Sequence, residues 1–241
     1  SWFLWELDDV EGSHKAWNKA ESTDSYCCFP NRLEDVRALD LWTGARASYY
    51  LGCLYYDKRQ YDEAVRLWME SSALDPLFPT VWRNLALAMY NKLGDPQTAL
   101  DYMLRAFDLD SSDSRVLMEL DQLYKAMEMP AEFRYDFLQK HSALVEQRDD
   151  LVLEVITLLN DLGRYEEAMT MLDAHIFHPW EGGEGKVPAQ YQRARVALAQ
   201  QAISDGNPQK AITLLEQCLV YPHHLGEGKL HNAQDNDFYY Y

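Results

Sequence analysis

Residues that open a second helix return along this chain at a nearly fixed interval. Ala64, Ala99, Phe133, Ala168 and Ala211 follow one another at steps of 35, 34, 35 and 43 residues. A period near 34 residues is the length of two helices and their turns. Each such hairpin has an apolar flank that only its neighbour can cover, so the units must stack. The chain is therefore expected to be all-α. Composition agrees, with 47% apolar and 13% aromatic residues, and with 11 glycines and 9 prolines gathered mainly between the helical patterns. That is an ordered, core-forming composition.

The clearest unit runs Tyr49-Tyr50-Leu51-Gly52, Tyr55, Tyr61, Ala64, Trp68, Leu74, Asp75-Pro76. Leu51 and Tyr55 share a helical face. Gly52 and Ala64 are small where two antiparallel helices must approach, and Tyr61 and Trp68 fill the space toward the next pair. Pro76 stops the second helix because it cannot extend the hydrogen-bond ladder. These markers resemble the tetratricopeptide-repeat (TPR) pattern. The second unit carries Trp82, Leu85, Ala86, Ala99 and Met103, and its turn Gly94-Asp95-Pro96 supplies an N-cap and a first-turn proline. The third is degenerate, with Leu117, Leu120, Tyr124, Phe133 and Phe137 kept and Met129-Pro130 in place of a glycine turn. The fourth turns at Gly163-Arg164-Tyr165, and the fifth runs from Pro188 to Tyr221 through Gly206-Asn207-Pro208.

The fold expected is a TPR-like right-handed α-solenoid with five helix pairs over 45–234. A partial preceding repeat, with Trp17 and Ala20 in second-helix places, and an extra helix near Arg32–Leu41 make up 1–44. Residues 235–241 begin a further helix, with Asp235-Asn236-Asp237 as caps. Natural arrays end in polar capping helices, so an excised piece of a longer protein is expected.

A second repetition is rarer. Pro179-Trp180-Glu181-Gly182-Gly183-Glu184-Gly185-Lys186 returns as Pro222-His223-His224-Leu225-Gly226-Glu227-Gly228-Lys229, and Ala189-Gln190 and Ala233-Gln234 follow the two copies. A phosphate-binding Walker loop needs an earlier glycine and a Ser or Thr after the lysine; Trp180 and Val187, or His223 and Leu230, stand there instead. Two readings stay open. Glycine-rich backbone ahead of a helix can form an anion nest, or the loops are rigid inter-repeat connections. The loop candidates are Trp180, Gly183, Gly185, Lys186, Gly226, Gly228 and Lys229.

Phe29-Pro30-Asn31-Arg32-Leu33-Glu34, Trp82-Arg83-Asn84-Leu85-Ala86, Glu119-Leu120-Asp121-Gln122-Leu123-Tyr124, Arg148-Asp149-Asp150-Leu151 and His178–Lys186 together extend the comparison over nearly the whole chain. They resemble a group of large, poorly characterised bacterial TPR proteins. The Trp-Glu-Gly-Gly-Glu-Gly-Lys run is the most specific piece, and the shorter connection Asp40–Gly44 is a departure. The resemblance implies a bacterial source, and the cysteine pattern adds the expectation of a reducing, cytoplasmic compartment. The resemblance also implies a preceding domain of unknown function, similar to a galactose-mutarotase-type β-sandwich, and no catalytic residue in this segment.

A net charge of −17 argues against nucleic-acid partners, which need basic surface to displace counterions, and against anionic membranes. Of the four cysteines, Cys27 and Cys28 are adjacent and Cys53 and Cys218 lie in helical stretches, which fits free thiols. His175 and His178 have i, i+3 spacing and His223-His224 follow in the equivalent loop, but nothing at recognisable spacing completes a metal set, so solvated loop histidines are expected. Glu166-Glu167, Asp149-Asp150 and Asp8-Asp9 point to different faces and suit first helical turns better than catalysis. No catalytic residue, metal or cofactor is expected.

Function then falls to the first helices, which line the concave face of such an array. The outward candidates are Arg46, Tyr49, Tyr56, Arg83, Tyr90, Arg115, Gln122, Lys125, Asn160 and Arg193. Arginine forks match carboxylates and tyrosines give rigid contact area, so a non-catalytic scaffold holding a protein or peptide segment, or another part of its own chain, is expected. Paired salt bridges between repeats are the plainer use of the same arginines. Trp68, Trp82, Phe133, Phe137, Tyr55 and Tyr165 read as packing residues, and Trp180 as a loop plug. The alternative is an accessory module of a carbohydrate-active protein that contacts glycan, and exposed repeat ends allow a homodimer.

Overall fold

The computed structural model describes residues 1–21, 29–42, 44–231 and 236–241. Cys27-Cys28, Ala233-Gln234 and the Asp235 cap lie outside the described residues. The chain forms two compact units, Ser1–Val116 and Leu117–Tyr241, and no strand occurs among the described residues.

The first unit holds α1 (Trp2–Glu6), α2 (Val10–Glu21), α3 (Leu33–Asp40), α4 (Ala45–Asp57), α5 (Tyr61–Leu74), α6 (Pro79–Ala88) and α7 (Pro96–Leu109). Helix α3 is the extra helix expected near 32–41. In α2 the sequence register fails by two turns. Ala20 is exposed, whereas Ser13 is fully buried and its hydroxyl donates to the Ser1 carbonyl at 2.8 Å. Trp17, four residues on, stacks on Trp42 at 5.6 Å. Ser13 and Trp17 thus repeat the spacing of Ala64 and Trp68, and the earlier assignment of Ala20 is corrected.

Helices α4 and α5 show what the small residues are for. A Cβ on Gly52 would lie 2.5 Å from Trp68 Cδ1, so only glycine lets the buried indole reach across α4. There its N–H donates to the Tyr49 carbonyl at 3.1 Å. Ala64 is fully buried on the facing helix. In the next pair Ala86 and Ala99 take these places, but one residue further apart than Gly52 and Ala64. Helix α6 absorbs the extra residue by widening into a π-turn over Met89–Leu93, the ordinary result of one insertion in an α-helix. Asp95 caps α7 by accepting from Thr98 N at 3.0 Å, with Pro96 behind it.

Helix α8 (Ser114–Ala126) is followed by α9 (Ala131–Lys140), α10 (Ser142–Val145), α11 (Asp149–Asp161), α12 (Tyr165–Ala174), α13 (Lys186–Ser204), α14 (Pro208–Cys218) and α15 (Asn236–Tyr240). The third pair departs from the others. Phe133 is 41% exposed and leans edge-on against Tyr124, while Arg134 is 5% exposed and Leu138 fully buried. Arg134–Leu138 therefore matches Ala64–Trp68, Ala99–Met103, Ala168–Leu172 and Ala211–Leu215, and the marker moves from Phe133 to Arg134. Asp121, fully buried, stands where Gly52 and Ala86 stand. The small-on-small contact has become an ion pair: Arg134 donates to both Asp121 oxygens, at 3.0 and 2.6 Å. Burial pushes the Asp121 carboxyl up and the guanidinium pulls it back. Arg134 also reaches Glu154 at 2.6 Å, and Lys125 reaches the same carboxylate at 2.8 Å. The fifth pair closes on Ala199, Ala202, Ala211 and Leu215, with Asn207 capping α14 from Lys210 N at 3.1 Å.

No helix of the described residues is long and apolar enough to cross a membrane.

Candidate functional site

In the first unit, α4 and the start of α6 present one polar-aromatic cluster. The Tyr49 ring lies 4.9 Å from Phe78, and the Arg46 guanidinium carbon 5.9 Å from the same ring. Asn84 points its amide at the Tyr49 hydroxyl, 3.5 Å away, and at Cys53 Sγ, 3.7 Å away. Arg83 donates to the Asn84 side-chain oxygen at 3.4 Å. Burial pushes the Tyr49 hydroxyl well above its ordinary value, so it stays a neutral donor. Arg46, Tyr49 and Arg83 are thus brought together, and Phe78 and Asn84 join them. Asn84 has a local signal, since it follows Arg83 directly. Phe78 has only its place before Pro79, where it becomes the residue preceding α6.

The other candidates of this unit stand apart. Tyr56 turns toward α5, with its ring 5.1 Å from Tyr61 and 5.4 Å from Trp68, and Lys92 Nζ sits 4.8 Å over Tyr61. Tyr90 lies exposed in the π-turn, and Arg115 is exposed at the start of α8.

In the second unit the first-helix residues are largely spent on neighbouring hairpins. Lys125 pairs with Glu154, and Arg193 pairs with Asp161 at 2.7 Å. Gln122 is exposed. Asn160 does not face outward: it is 1% exposed, and its amide donates to the Gln190 carbonyl and side chain at 3.2 and 2.9 Å. The sequence register placed Asn160 on the open face, but the helix pair α11/α13 closes over it. Arg193 borders a cleft of about 410 Å³ on α13, shared with Val196, Gln200, Tyr165 and Phe238.

The two glycine-rich loops share a sequence but not a conformation. The first turns at Gly182 and Gly185, both left-handed, and enters α13 at Lys186. The second forms a 3₁₀ turn, His223–Leu225, and is left-handed at Gly226. They interlock. Phe177 N–H donates to the His224 carbonyl at 2.8 Å, and a Cβ on Gly226 would meet the Phe177 carbonyl at 2.5 Å. Both oxygens of Glu227 accept from Gly185 N–H, at 3.0 and 2.9 Å. One backbone N–H ahead of α13 is thus taken by a carboxylate of the second loop, a contact that ties the two loops together. Trp180, half-buried, lies on Gly183, where a Cβ would come within 2.7 Å of Cζ2. The buried plugs are Phe177 and Leu225, which the sequence reading passed over in favour of Trp180.

The loop histidines are not simply solvated. Asp149, in the first turn of α11, accepts from His175 Nε2 at 2.7 Å, from His178 N–H at 2.7 Å and from His178 Nδ1 at 3.1 Å. Carboxylates only accept, so each bonded ring nitrogen carries its proton. Burial pushes the Asp149 carboxyl up, but these bonds outweigh it and hold the carboxyl below the usual range.

Helical hairpins recurring at a near-constant interval, with small residues at the α4/α5 and α6/α7 crossings and an ion pair in their place at α8/α9, define a helical-repeat fold of the TPR class. The chain is similar to the crystal structure of MamA protein (TM-score 0.51, 16% identity, 73% of this chain and 90% of that one). It is also similar to YrrB, a TPR protein with an unusual peptide-binding site (TM-score 0.56, 15% identity, 77% and 90% covered). A third similar structure is the C-terminal part of a TPR repeat-containing protein from Cytophaga hutchinsonii (TM-score 0.56, 15% identity, 90% and 92% covered). No protein-family profile matches the sequence. At these identities the likeness is one of fold.

Proposed function

We propose that this chain is a non-catalytic scaffold that holds an extended, acidic peptide segment against the first-helix faces, beginning at the Arg46–Tyr49–Phe78–Arg83–Asn84 cluster. The observation that supports it is that cluster itself. A guanidinium and a neutral phenol meet on the Phe78 ring, and a carboxamide links that phenol to a second guanidinium. Arginine has five N–H donors, so a guanidinium already engaged within the protein still offers a fork to an incoming carboxylate. An amide and a phenol can bond backbone groups of any sequence, which suits recognition of a segment by shape and charge. Peptide binding by the structurally similar YrrB is consistent with this use of the fold. The segment belongs to a partner protein or to another part of the same chain in a bacterial cytoplasm.

A library of acidic and neutral extended peptides, titrated against the protein at low salt, tests the reading. Acidic peptides are expected to bind, and Arg46→Ala with Arg83→Ala is expected to abolish it, while Arg164→Ala leaves it intact. Binding of acidic peptides that is indifferent to Arg46 and Arg83 rejects the proposal.

A further inference from the structure

The interlocked loops enclose a cleft of about 270 Å³. Val187 and Leu225, each 1% exposed, form its floor. The Trp180 indole is one wall, and Glu181, Glu184 and Glu227 also line it, the last with its carboxylate held by Gly185 N–H; no lysine or arginine is among the described lining residues, and Lys186 acts on the Glu184 carboxyl from outside the lining. The cleft is fixed before any ligand arrives, because Phe177 is bonded to His224 and Gly185 to Glu227. Backbone N–H groups of Glu184 and Gly182 hold the Glu184 carboxyl below the usual range, so it is ionised at neutral pH.

We propose that this cleft is a receptor for an alkylammonium group, whose methylenes lie along Trp180, Val187 and Leu225 and whose charge meets the glutamates. An aromatic face attracts a cation electrostatically, and a lysine-like group combines an apolar stem with a charged head. The volume is below the roughly 300–1,000 Å³ of drug-sized ligand sites, which matches a single side chain better than an oligosaccharide. A bare metal ion lacks a ligand set, since no three metal-binding side chains converge among the described residues. The inference does not depend on the first-helix cluster, which lies in the other compact unit.

The test is calorimetric titration of the whole chain, at low salt, with n-butylammonium, cadaverine and a short lysine-bearing peptide. n-Butanol, methyl glucoside and the norleucine twin of the peptide serve as uncharged controls. The amines are expected to bind saturably and the controls not. Trp180→Ala and the isosteric Glu184→Gln are each expected to weaken binding about tenfold, and Trp180→Phe to retain most of it. Tighter binding of the lysine peptide than of the free amines assigns the site to a protein partner; the reverse order assigns it to a small amine. Circular dichroism checks the fold of each variant, and Glu184→Gln alone carries the test where Trp180→Ala fails to fold. Absence of saturable amine binding, equal uptake of the uncharged controls, or amine binding unchanged in Glu184→Gln overturns the inference.

Discussion

Asp121 and Arg134 show how much one residue pair can depart from a repeat without breaking it. Both are buried and doubly bonded to each other; removing Arg134 strands Asp121, whereas removing Asp121 leaves Arg134 with Glu154 alone. Asp121→Ala is expected to cost up to about 3 kcal/mol, because the buried guanidinium loses one of its two carboxylate partners and keeps Glu154. The double variant Asp121→Ala/Arg134→Ala restores the pairing of small residues found in the other hairpins, and Glu154 keeps Lys125. It is expected to be more stable than Asp121→Ala, as urea denaturation midpoints will show. A double variant less stable than the single one contradicts this account. Gly52→Ala makes the complementary case: its methyl would displace the Trp68 indole, at about 1–3 kcal/mol of overpacking.

At the scale of helices and loops, α6 owes its π-turn to one surplus residue. Deleting Asn91, exposed within that turn, is expected to leave far-UV circular dichroism unchanged and to shift Tm by less than about 5 °C. Deleting Tyr50 from the regular helix α4 rotates every later core residue off its face and is expected to abolish the cooperative transition. The loop clasp has its own acid signature. Asp149 is held below its ordinary value of 3.8, so the stability it contributes is present above pH 3.8 and is lost as pH falls below it. Hydrogen-exchange protection of the His178 amide, which Asp149 accepts, is therefore expected to fall in that acid range, and to be lowered already at neutral pH in Asp149→Asn. The helix pairs, the Asp95 and Asn207 caps and the crossing at Gly52 were legible in the sequence because each depends on residues a few positions apart. The Phe133-to-Arg134 shift was not, since an arginine at a small-residue position reads as surface until its partner Asp121 is known. Nor was the clasp, whose partners Gly185 and Glu227 meet across 42 residues. Asn160 read as outward because a helix-face count ignores the helix that packs next.

On the scale of the whole molecule, charge is the dominant property. A net −17 repels itself over distances that salt shortens from about 30 Å at 0.01 M to about 10 Å at 0.1 M. Tm is expected to rise with sodium chloride over this range, and a flat or falling trend would mean that local ion pairs outweigh the global repulsion. A chain of similar hairpins also faces a problem of identity, because any first helix could in principle dock on any second. Asp121 removes that freedom for α8. Set against Ala64, Ala99, Ala168 or Ala211, its carboxylate would be entombed without a counter-charge, and only α9 offers one. The buried pair works as a key cut for one lock, so that the most degenerate hairpin in the sequence is the one least able to find the wrong mate.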